Sequence, residues 1–285
     1  MPYDVLPTVH EVPENLDFSV DFETTKFDEK KYVINNETGD YLGVVGKGFN
    51  CASHKKFFDG VQNVMVDNIP DAMVDSTVRW SSARNNAWAM MDIVMPNVST
   101  KIETDKHTTE VGQRIIALHG VDGSCSNQVF FGAIDFFCTN GMITGDYDKV
   151  KRKNTSNCCM SRFINELNQS SLDFQEQSDK LKTWARVELP TYSNKGWNEV
   201  LSSITKSDQK AKKMLPLVQQ EVSKRGKNVF ALYSAFTNYA SYADERNGFN
   251  LRNTGNDTQS QSMWAREHEV TKWIATPEFK KLAAA

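Results

Sequence analysis

Three groups of residues in this 285-residue chain could do chemistry: a cation run, a turn carrying His, Asp and Ser, and a few separate aspartates. Lys149, Lys151, Arg152 and Lys153 stand within five residues, followed by Asn154, Thr155, Ser156 and Arg162. Cations backed by hydroxyl and amide donors suit phosphate oxygens. Arg79 and Arg84 flank a polar turn, and Lys55 and Lys56 begin an early helix. Phe49, Trp80, Trp88 and Tyr147 lie near these cations in sequence. Aromatics interleaved with cations can stack unpaired bases, each worth about 1–3 kcal/mol. All nine cations are therefore candidate nucleic-acid contacts. The stretch from Lys195 to Lys227 holds eight Lys/Arg against three acids, and reads as solvated helix faces.

The turn His119-Gly120-Val121-Asp122-Gly123-Ser124 contains pieces of a hydrolytic site. A nucleophilic Ser needs a base in reach and an oxyanion donor, and the same string also spells an ordinary Asx/Gly turn, which is the reading preferred here. A Mg²⁺ nuclease would need carboxylates from separate strands aimed at one point; Asp92, Asp122 and Asp135 are the candidates. A P-loop is missing: in Gly43-Val44-Val45-Gly46-Lys47-Gly48 the glycine spacing is wrong and Gly48 replaces the Mg²⁺-binding hydroxyl. Glu267-His268-Glu269 lacks a second His nearby and reads as an exposed helix face. The five Cys contain no C-x-x-C. His119, Cys125, Cys138 and Cys158 fit no common zinc spacing, so buried free thiols are expected. No catalytic residue, metal or cofactor is expected.

These residues need a scaffold, and composition allows one. Hydrophobic residues make up 39% and aromatics 11%, enough for a packed core. No apolar run approaches the roughly 20 residues of a membrane span, and Met1 to Val20 shows no secretory signal. A soluble chain in the cytoplasm, without a membrane partner, is the expectation. Residues 1–40 hold ten acids and three Lys, a net −7; with −3 for the whole chain, the other 245 residues sum to +4. The expected organisation is an acidic N-terminal arm (1–40), a sheet-containing core with the first helix (41–190), a helical part (191–246), and a polar loop with a C-terminal helix (247–285). Tyr41–Val45, Thr77–Trp80, Ala87–Met95, Gln113–Leu118 and Gln128–Phe137 read as strands. After residue 155 the apolar spacing becomes helical: Met160, Phe163, Ile164 and Leu167 fall at i, i+3, i+4, i+7. Pro190 stops a helix, Pro216 kinks or starts one, Asn228 is an N-cap, and Thr276-Pro277-Glu278 opens the last helix. The fold class is α+β: a mainly antiparallel sheet of β-β-β-α type, with C-terminal helices packed on one face.

The span from Gln113 to Arg162 carries an H-x-x-D-G-S turn, a long strand ending in Cys138-Thr139-Asn140-Gly141-Met142, and the basic segment with Thr155. This pattern resembles a phage- and plasmid-borne family known only as a domain of unknown function, nine-three-two. Val45-Gly46-Lys47-Gly48-Phe49 with Phe57, and the helix from Asn228 to Tyr239, agree with it; the resemblance spans roughly residues 41–243. Gly120-Val121 inside the turn and Asn154-Thr155 in place of His-Thr depart from the pattern. The strand–helix order is similar to the core of ATP-independent annealing proteins, namely the Rad-type mediator and the RecT, Red-beta and Erf groups. That likeness implies a ring or helical homo-oligomer holding single-stranded DNA in a basic groove, with a single-strand-binding protein as a further candidate partner. A non-catalytic phage interaction or inhibitor protein and a metal-dependent nuclease are the alternative functions.

Overall fold

The computed structural model describes residues 6–136, 141–142, 149–154, 160–169, 174–246 and 258–284. At its centre is an antiparallel meander of β4 (Thr77–Ala83), β5 (Trp88–Glu103), β6 (Thr108–Gly120) and β7 (Asn127–Asp135). The outer side of β7 pairs at one end with β8 (Gly141–Met142) and at the other with β9 (Lys149–Arg152). Along β6, residues 111–120 are buried without interruption. A central strand covered on both faces loses the apolar/polar alternation of a half-exposed one.

Side-chain alternation sorts the large sheet into two faces. The first carries Ile115 and Ala117 of β6, with Met91 and Ile93 opposite them on β5 and Val129 and Phe131 on β7. It is covered by α1 (His54–Asn68) and α3 (Met160–Gln169). Helix α1 is capped by the Ser53 hydroxyl, which accepts from the Lys56 amide. It buries Phe57, Phe58, Val61, Val64 and Met65, whose spacing lines one side of a helix. Fully burying such a side chain contributes roughly 1.5–3 kcal/mol. The short α2 (Pro70–Met73) adds Ala72 and Met73 to the same cluster.

Toward the far end of the strands, Ile102, Val111 and Ala133 meet the helical part. This comprises α4 (Gln175–Arg186), α5 (Asn194–Thr205), α6 (Asp208–Arg225), α7 (Val229–Arg246) and α9 (Pro277–Ala283). Asn228 caps α7, its side-chain oxygen accepting from the Ala231 amide, and Thr276 caps α9. Helix α6 runs through Pro216, which lies on the exposed side, where water can serve the carbonyl that proline leaves unpaired. Among the described residues no helix is long and apolar enough to cross a membrane.

The fold class is α+β with antiparallel sheets and C-terminal helices, but three details depart from expectation. First, helices cover both faces. Helix α8 (Thr258–Ile274) lies on the second face, where Met263 and Trp264 meet Met90, Ile116, Leu118 and Phe130. Second, Glu267 is not on an exposed helix face. It is 4% exposed and bonds the Arg114 guanidinium at 3.0 Å, while Glu269 pairs with Lys210. Third, residues 20–40 are not an unstructured arm. β1 (Val20–Thr24) and β2 (Lys30–Asn35) pair with β3 (Tyr41–Gly46) in a separate three-stranded antiparallel sheet. Its inner side, with Phe18, Val33, Leu42 and Val45, packs on Ala87 and Val121. A division of the chain at residue 40 would cut through this sheet. Of the polar loop expected after residue 246, residues 247–257 lie outside the described residues; from Thr258 the chain is helical.

Candidate nucleic-acid interface

One end of the large sheet gathers the sequence signals that matter. There the β4–β5 turn, the β6–β7 loop, the end of β9 and the N-terminus of α1 meet the small sheet. The turn is strained: Arg84, Asn85 and Asn86 have φ of 59°, 52° and 62°. L-residues enter this left-handed region at a cost of about 1–2 kcal/mol each, least for Asn. The surroundings hold the turn in place. The Asn86 side-chain oxygen accepts from Ser82 Oγ at 2.8 Å and from Asn15 Nδ2 at 3.0 Å, and its carbonyl is 2.8 Å from His54 Nε2.

That contact fixes a histidine pair. His54 Nε2 donates to the Asn86 carbonyl, so its Nδ1 must accept, and His119 Nδ1, 2.8 Å away, donates. His119 stacks on Phe57 at 4.7 Å between ring centroids. Both rings are fully buried. Burial pushes the His54 pKa from 6.5 down to about 4. His119 is pushed well below its ordinary value by burial first, then by the neighbouring His54.

The Asp122 side chain is buried and serves two partners. Its Oδ1 accepts from the Ser124 amide at 2.9 Å, which makes Asp122–Ser124 an Asx turn. Its Oδ2 lies 2.7 Å from Arg84 Nε. β3 approaches this turn so closely that a Cβ at Gly43 would lie 3.1 Å from both the Asp122 Cβ and the Asp122 carbonyl oxygen. Asn154 Nδ2, just beyond β9, donates to the Gly120 carbonyl at 2.8 Å and ties the basic segment to the loop. The Cys125 thiol is pushed up to about 12, by burial first and then by Asp122, while Arg84 and Lys151 act in the opposite direction. The Cys51 thiol is pushed up to about 12 as well, again mainly by burial. Cys51 and Cys125 are free thiols; Cys138 and Cys158 lie outside the described residues.

Arg84 stands on the Asp122 turn, and Lys151 is opposite Gln128, where β7 leaves the same loop. Lys151 and Lys153 are exposed and Arg84 is half exposed. On β9, Lys151 stands opposite Gln128 of β7. Four other candidates stand on other elements. Arg79 lies on β4, at the opposite edge of the sheet from β9, with Nη2 2.9 Å from Asp92. Lys55 is 3.8 Å from both Asp17 and Asp59. Lys56 is its exposed neighbour on α1, and Arg162 on α3 is 3.8 Å from Glu166.

The three aspartates do not converge. Asp92 stands opposite Ile116 and Asp135 opposite Val111, so they occupy opposite faces of the sheet. Asp92 binds Arg114 at 2.6 Å. Burial alone would raise its pKa, but Arg114 and Arg79 hold it below the usual value. Asp135 binds Arg225 at 2.8 Å and accepts from Thr109 at 2.6 Å. The His54 pairing and the Arg84–Asp122 contact were not anticipated from sequence. The Asn85-Asn86 dipeptide was the available signal for a left-handed turn; nothing local marks His54 as a partner of His119, 65 residues away.

Residues 41–278 match the family described as Domain of unknown function (DUF932), a span reaching further toward the C-terminus than the motifs alone. No curated protein matches the chain. No solved structure matches it, so the likeness to annealing proteins rests on the order of elements alone.

Proposed function

The chain belongs to the DUF932 family, and on that premise we propose that it binds single-stranded DNA without ATP and promotes annealing of complementary strands. One observation carries this reading: Arg84 and Lys151, 67 positions apart, both stand at the β6–β7 loop, Arg84 on Asp122 and Lys151 opposite Gln128 where β7 begins. Arg84 uses Nε to hold Asp122, and its terminal amino groups would take a phosphate. Lys151 and Lys153 would take the next ones, displacing condensed counterions. Two or three contacts bind weakly, so copies of the chain set side by side would hold the strand by repetition. The bacterial cytoplasm would be the place of action, and a single-strand-binding protein the natural supplier of the strand. The nuclease alternative is not carried forward, because the aspartates it needs stand apart.

The test is fluorescence anisotropy of a labelled oligo(dT) at roughly 50 and 200 mM salt, with an ATP-free annealing assay on complementary oligonucleotides. Binding at the lower salt that weakens at the higher is expected. Arg84→Ala and Lys151→Ala should each lower the salt slope by about 1. No binding at low salt, or binding indifferent to salt, would refute the proposal.

A further inference from the structure

The small sheet has a face that the other described residues do not cover. Five of the six large apolar side chains that stand well exposed among the described residues precede residue 45. Three belong to this sheet and its first turn: Phe27 at 70%, Tyr41 at 61% and Val44 at 54%. Tyr41 meets the half-buried Tyr32 edge to face at 5.1 Å, and its hydroxyl donates to Glu23 at 3.2 Å. Val44 stands opposite Tyr32, and Tyr32 opposite Glu23, so these residues share the outer face. Around this centre the exposed charges are mostly acids, part of the net −7 of residues 1–40. An aromatic centre inside a charged rim is the composition of a protein-docking patch. The same acids repel a polyanion, so this is not the DNA face.

The complementary surface exists on the same chain. After Asp208, the exposed residues of α6 include Lys212, Lys213 and Lys224 and no acid; Glu221 is buried. The two surfaces sit at opposite ends of the large sheet. The small sheet packs on Ala87 and Val121. The end of α6 lies beside Asp105, in the β5–β6 turn, and is anchored to Asp135 through Arg225. One copy therefore cannot satisfy its own patch, while a second can.

We propose that the outer face of β1–β3 docks on the lysine face of α6 of a neighbouring copy, head to tail. Such a heterologous contact repeats into a ring or a helical filament. This develops the assembly half of the function proposed above, but it concerns the chain alone and is measured without nucleic acid. The failure of one therefore does not entail the failure of the other.

Sedimentation velocity of the full chain across a concentration series, at roughly 50 and 200 mM salt, is the test. Self-association that weakens with salt is expected. Asp21→Lys/Glu23→Lys and Lys212→Glu/Lys213→Glu/Lys224→Glu should each weaken it by about tenfold or more. Mixing the two variants should restore a heterologous complex, because each keeps one native surface and the reversed surfaces again oppose each other. Unchanged thermal melts would show that the variants fold. A monomer at every concentration at low salt, or self-association that neither reversal alters, would overturn the proposal. So would a patch that takes only an unrelated basic protein.

Discussion

Replacing the two histidines of the buried pair should change how stability depends on pH. His54→Gln/His119→Asn keeps donor amides near the original ring nitrogens and removes both titrations. In the native chain burial lowers the His54 pKa, so as pH falls the unfolded chain takes the proton first. The stability is fully present above 6.5 and is lost progressively as pH falls from 6.5 to about 4. At about 1.36 kcal/mol per pH unit, the loss from His54 alone is about 3 kcal/mol. His119, shifted in the same direction, adds to it. For a chain of this size that corresponds to roughly 6–12 °C in Tm. Thermal melts of both proteins at pH 7.5, 6.5, 5.5 and 4.5 measure it, since carboxylates contribute equally to each. The native chain should lose markedly more between pH 6.5 and 4.5 than the variant. Parallel curves for the two would refute the assignment of buried, neutral imidazoles.

Three further outcomes follow from the same geometry. Glu267→Ala should destabilise by about 3–5 kcal/mol, because Arg114 stays buried with one partner fewer; a urea titration reads it, and a loss under 1 kcal/mol would count against the pair. Gly112→Ala should cost about 1–3 kcal/mol, since its Cβ would lie 2.2 Å from the Phe136 ring. Adding Phe136→Ala should recover most of that, as Phe136 is 36% exposed and its ring can be spared. Arg84→Ala should leave the Asp122 carboxylate without its cation and destabilise by about 1–3 kcal/mol, whereas Lys151→Ala, on an exposed position, should leave Tm within about 2 °C; equal losses from both would contradict the geometry.

The elements that carry strong local signals were legible in the sequence. The 3.6-residue spacing of Met160, Phe163, Ile164 and Leu167 gave α3, and Asn228 and Thr276 marked helix starts through their side-chain oxygens. Strand ends were not legible: Ser81, Ser82 and Ala83 read as turn, yet they belong to β4 because pairing with β5 continues to Trp88. Residues 20–35 escaped because exposed acids and lysines on β1 and β2 mask the apolar alternation of Phe22 and Val33. For the candidate site, the cations were visible, but whether they converge depends on strand register. Arg79 and Arg84 are five positions apart in sequence, yet Arg79 holds Asp92 in the sheet and Arg84 holds Asp122 in the β6–β7 loop. Glu267 reads as a surface charge until a partner 153 positions away explains its burial.

The two buried arginines set an order of events during synthesis. Arg114 reaches Glu267 across 153 residues and Asp135 reaches Arg225 across 90. Each contact joins the meander to a helix made much later. While a ribosome is still translating the C-terminal third, the completed strands carry Asp135 without its arginine and Arg114 with half its counter-charge. Hydrophobic collapse would have to seal these groups away from water with no compensation. Sealing the meander at those two positions therefore depends on α6 and α8, which bring the compensating charges.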